Sequence, residues 1–71
     1  MRDVNRLYVF YNELMKIHME NFPYMRFGQL INNLERWLFV KKKIADIFYI
    51  EEDAMLRYIN EFVEDIKEFR R

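Results

Sequence analysis

Gln29, Asn32, Asn33 and Arg36 fall at i, i+3, i+4 and i+7, the spacing that lines residues up on one face of a helix. Three amides and a guanidinium make a directional hydrogen-bonding ribbon. In a major groove, Asn or Gln pairs with adenine edges and Arg with guanine, so a recognition helix carries such a set. The same ribbon also suits a protein interface or an ordinary solvated face, and Gln29 alone could bond to the segment from Asp46 to Tyr49. Lys41, Lys42 and Lys43 follow as the one basic run and offer phosphate contacts. Their alternative role is to sit at a helix end, where the negative pole of the dipole stabilises cations.

Other candidate groups are sparser. His18 is the single histidine. Asn21 and Phe22 stand at its i+3 and i+4 positions, so no di-metal carboxylate pattern follows it, and no metal site or cofactor is expected. A buried or interfacial ring, with its nitrogen satisfied by backbone or by a tyrosine hydroxyl, is the expectation. Glu61, Glu64, Asp65 and Glu68 line the outer face of the last predicted helix, and Arg57 stands four residues before Glu61 as an ion-pair partner. An acidic face of this kind engages basic partner surfaces.

Composition closes off most catalytic chemistry. Among the 71 residues there is no cysteine, serine or threonine, so the usual thiol and hydroxyl nucleophiles are missing. One glycine and one proline leave no room for a phosphate-binding glycine loop. No catalytic residues are assigned, and an enzyme is not expected. Twelve basic residues balance twelve acidic ones, whereas groove readers normally sit on a basic domain. The apolar run from Leu7 to Tyr11 is too short for a signal peptide or a membrane span, which points to a cytoplasmic protein with no membrane partner.

The elements that must position these groups are read from apolar periodicity. Residues 3–20 are predicted as helix 1, with Val4, Leu7, Tyr8, Tyr11, Leu14, Met15, His18 and Met19 on one broad face. Phe10 and Ile17 sit at the edge of that face, and Arg2, Asn5, Arg6, Asn12, Glu13, Lys16 and Glu20 lie opposite with Val9 among them. So wide an apolar arc calls for cover on two sides. Pro23 breaks the helix at Phe22. Helix 2 is predicted at about 25–41 on the stripe Phe27, Leu30, Ile31, Leu34, Trp37 and Leu38. Gly28, inside it, is read as a close approach of helix 1 or of the following connector.

Ile44 to Ile50 is rich in β-branched and aromatic residues, and its pattern fits either an extended segment or a helical turn. A last helix follows, opened by Glu51, Glu52 and Asp53, closed by Lys67, Arg70 and Arg71, and cored by Met55, Ile59, Phe62, Val63, Ile66 and Phe69. Residues 51–71 hold seven acids against four bases, so the basic run and this helix predict an electrically lopsided molecule. The expected architecture is all-α: one three-helix bundle over residues 1–71, with an irregular or short extended connector before the last helix. Thirteen aromatic residues exceed what so small a core hides, and exposed apolar patches mark interfaces. Tyr8, Tyr11, Met15, His18 and Met19 are the candidate apolar interface.

Two stretches carry a resemblance: Arg26-Phe27-Gly28-Gln29-Leu30-Ile31-Asn32, and Asp46-Ile47-Phe48-Tyr49-Ile50 followed by Glu51, Glu52 and Asp53. Together they resemble a group of short, uncharacterised bacterial and phage proteins, which carry an Arg-x-Gly-Gln element and then an Asp-x-Phe-Tyr element opening a terminal helix. The resemblance covers roughly residues 22–58 and brings no activity. It implies a small phage or prophage protein that binds a host component. The expected function is a non-enzymatic interaction protein that binds a host or phage protein, or itself, through surplus apolar surface. The alternative is a helix-turn-helix-like nucleic-acid binder.

Overall fold

The computed structural model describes residues 3–69. Three helices carry the fold: α1 (Asn5–Asn21), α2 (Phe27–Lys42) and α3 (Glu52–Phe69), with one 3-10 turn at Ile47–Tyr49 between the last two. Each boundary has a local cause. Asp3 Oδ1 accepts from the Asn5 N–H at 2.9 Å and satisfies one of the amides left open at the start of α1. Proline at position 23 ends that helix, and the chain turns back on itself through Met25 N–H to Phe22 O at 3.0 Å. Gln29 Oε1 accepts from the Arg26 N–H at 2.8 Å, which is the side-chain half of a capping box at the start of α2. Lys43 closes α2 in the left-handed conformation at φ 59°.

The connector combines both expected forms. Asp46 Oδ1 accepts from the Phe48 N–H at 2.9 Å and folds residues 47–49 into a helical turn, while Asp46 and Ile50 on either side are extended. Ile44, Ile47 and Ile50 recur every third residue, and all three pack against the core. Phe48 and Tyr49 are consequently turned out to solvent at 79% and 81% exposure.

All three helices feed one core of Leu14, Ile17, Phe22, Leu30, Leu34, Leu38, Ile59, Phe62 and Val63. Arg6 bonds to Glu52 near the starts of α1 and α3, and Phe22 meets Phe62 beyond the end of α1, so these two helices run parallel. Lys42 reaches Glu61 while Trp37 reaches Asp65, so α2 runs antiparallel to α3. Phe22, the residue before the proline, is 1% exposed and lies 5.6 Å from the Phe62 ring. The helix-breaking turn therefore contributes a central core residue.

Four expectations are corrected. The packed face of α1 is centred on Phe10, Leu14 and Ile17, about a quarter turn from the face the sequence favoured. The intramolecular cover is on that side, and the other apolar stripe is left bare. Phe27 at 59% and Phe69 at 89% exposure lie outside the core, because each sits at a helix terminus beyond the reach of the neighbouring helices. Nothing lies within 4 Å of where a Cβ on Gly28 would stand, so no close approach explains that glycine. Glu61 pairs with Lys42 at 2.9 Å, across the α2–α3 seam, where Arg57 was the expected partner. The basic run and the acidic helix are thus neighbours, and part of the expected charge separation is neutralised. Arg2, Arg70 and Arg71 lie outside the described residues.

Candidate functional site

The polar ribbon forms as spaced. Gln29, Asn32, Asn33 and Arg36, together with Tyr24 and Met25, line one shallow depression on the outer side of α2. Its members differ in how far they are committed. The Gln29 carbonyl oxygen caps α2, where a bond to the connector had been the alternative. Asn33 directs its amide to the Met25 sulfur at 3.7 Å. Asn32 and Arg36 are exposed.

The lysine run divides three ways. Lys41 is exposed beside Trp37 and Asp65. Lys42 is half-buried, bonded to Glu61, and its ammonium lies 5.8 Å from the centre of the Trp37 ring and 5.9 Å from that of Tyr58, within cation–π range. Lys43 donates to the Val40 carbonyl at 3.2 Å. Lys42 and Lys43 thus make their contacts at the end of α2, and Lys43 remains exposed.

His18 is half-buried, and its Nε2 lies 2.8 Å from the Met25 carbonyl oxygen, an arrangement in which Nε2 carries the proton and donates. The ring pins the α1–α2 turn, as expected for a histidine satisfied by backbone. Among the described residues, no group of three or more His, Cys, Asp or Glu could hold a metal ion. Nor, among them, is any helix long and apolar enough to cross a membrane.

The largest uncommitted feature is on α1. Tyr8 is 74% exposed, Tyr11 61%, Met15 52% and Met19 67%, and Val4 at 72% continues the stripe toward the N-terminus. These side chains follow one another along one side of the helix, next to the packed face rather than within it. Burying Phe10, Leu14 and Ile17 inward forces this outcome, because side chains a quarter to nearly half a turn away cannot face the same neighbour. Of the five candidate interface residues only His18 turns inward. Val4 belongs with the remaining four, and its periodicity with Tyr8 and Tyr11 was the signal for it.

Phe48 and Tyr49 form a second exposed aromatic pair, edge to face with ring centres 4.9 Å apart. From sequence they enter only within the Asp-x-Phe-Tyr element and not as an interaction surface. The available signal was the Asp46-x-Phe48 spacing of a side-chain-capped turn, combined with isoleucine at every third position. A comparison of the chain with protein-family models, curated proteins and solved structures finds no match.

Proposed function

We propose that this chain is a non-enzymatic interaction protein, and that the bare stripe of Val4, Tyr8, Tyr11, Met15 and Met19 on α1 is the surface that takes the partner. One observation carries the reading: five large apolar side chains, each more than half exposed, lie on one continuous stripe of a helix whose opposite flank is already packed. Contiguous exposed apolar surface of this kind marks interaction sites, and tyrosine and methionine suit them because they contribute area with adaptable packing. The resemblance of residues 26–32 and 46–53 to short phage proteins supports a partner that is a host or phage protein, a second copy of this chain included.

The test is affinity capture from bacterial lysate, with and without nuclease, comparing the wild type with Tyr8→Glu/Met15→Glu and with Asn32→Ala/Arg36→Ala. The expected result is a protein retained after nuclease treatment by the wild type and by the α2 variant, and released by the α1 variant. Nuclease-sensitive recovery lost in the α2 variant would replace this reading with nucleic-acid binding, whose affinity falls steeply with salt.

A further inference from the structure

The α1 stripe has a spacing that selects among partners. Val4, Tyr8, Tyr11 and Met15 are separated by four, three and four residues, the alternating step of a coiled-coil seam. We infer that the occupant of this stripe is a second copy of the same chain, whose α1 lies antiparallel to the first, with Tyr8 of each copy against Tyr11 of the other. The inference rests on the reading of α1 as the binding surface and adds the identity of the occupant.

Three observations support a second copy over a foreign helix. First, the stripe is self-complementary. In the antiparallel register that alternates the two seam positions, Val4 of one copy meets Met15 of the other, and the Tyr8–Tyr11 layers fill the centre. Large aromatics then occupy the middle of the interface and smaller side chains its ends, the distribution that central hot spots show. The tyrosine hydroxyls stay at the rim, in water. Second, the stripe carries no charge. Its flanking residues are Asn5 and Asn12 on one side and Leu7 and Leu14 on the other, and the charged side chains next to it, Asp3 and Lys16, are each turned about 100° from Val4 and Met15. Self-pairing therefore opposes no like charges, and a charged partner finds nothing on the stripe to recognise.

Third, the area is sufficient. Taking about 200 Å² for each large side chain, the four seam residues offer on the order of 500 Å² per copy, and two copies together just reach the roughly 1,000 Å² that a specific interface requires. The margin is narrow, so a micromolar dimer is expected rather than an obligate one. The exposed Phe48–Tyr49 pair offers only two side chains and no repeated spacing.

Sedimentation equilibrium from micromolar to near-millimolar protein tests the inference. The wild type should pass from monomer to dimer, and Tyr8→Glu/Met15→Glu should remain monomeric with unchanged far-ultraviolet circular dichroism. Because the chain has no cysteine, Val4→Cys and Met15→Cys chains can be mixed under oxidising conditions. The mixed disulfide should dominate over either homodimer. A wild type that is monomeric throughout, or an α1 variant that dimerises as well as the wild type, overturns the inference. Dominant Val4→Cys homodimer also overturns it, since that pairing requires parallel helices. A monomeric wild type that still captures a lysate protein through α1 removes the second copy and leaves the binding reading standing. A monomer whose capture is indifferent to the α1 substitutions removes both.

Discussion

The indole Nε1 of Trp37 donates to Asp65 Oδ2 over 2.7 Å, joining α2 to α3 at the edge of the core. The same indole meets the Phe62 ring edge to face at 5.8 Å. A polar contact and an apolar one thus fix the one tryptophan of the chain between the two antiparallel helices. Asp65→Ala leaves the indole N–H without its charged acceptor and should cost about 1–2 kcal/mol, since the site is only half-buried. Chemical denaturation checks the cost. A shift in the native-state emission of Trp37 checks the mechanism, because no other tryptophan contributes.

Phe22 is the position where truncation should be least tolerated. Phe22→Ala is expected to cost about 3–5 kcal/mol, which approaches the whole stability of a domain this size. Phe69→Ala, at 89% exposure, should change stability by less than about 0.5 kcal/mol. Thermal melts of the two variants separate these outcomes, and comparable losses from both would contradict the assignment of Phe22 to the core.

Lys43 adopts φ 59°, where a side chain is disfavoured and glycine is not. Its neighbour Ile44 returns its N–H to the Leu38 carbonyl at 3.1 Å, so the left-handed turn is needed to close α2. Lys43→Gly should raise stability by about 0.5–1 kcal/mol despite the greater freedom of the unfolded chain, and Lys43→Val should lower it. Urea midpoints compared with the wild type provide the measurement.

Gly28 leads to the opposite substitution. A Cβ at this position meets nothing within 4 Å, and the glycine does not adopt positive φ, so Gly28→Ala should stabilise α2 by about 0.5–1 kcal/mol through backbone entropy alone. A destabilised Gly28→Ala protein in the same urea series would contradict the open surroundings of this position.

The sequence by itself determined the three helices, the break at Pro23, the inward stripe of Leu30, Leu34 and Leu38, and the missing nucleophiles, because periodicity and composition are local properties of the chain. Spacing also placed Gln29, Asn32, Asn33 and Arg36 together, since i+3 and i+4 neighbours meet on any helix. Tertiary structure decided which flank of α1 is buried. That helix is apolar over an arc too wide for one neighbour, so either flank satisfied the pattern, and only packing of Phe10, Leu14 and Ile17 against the common core chose between them. Contacts distant in sequence settled the remaining assignments: Glu52 for Arg6, Glu61 for Lys42 and Asp65 for Trp37. Ion pairs and hydrogen bonds between helices depend on rotation and register, which helical periodicity leaves free.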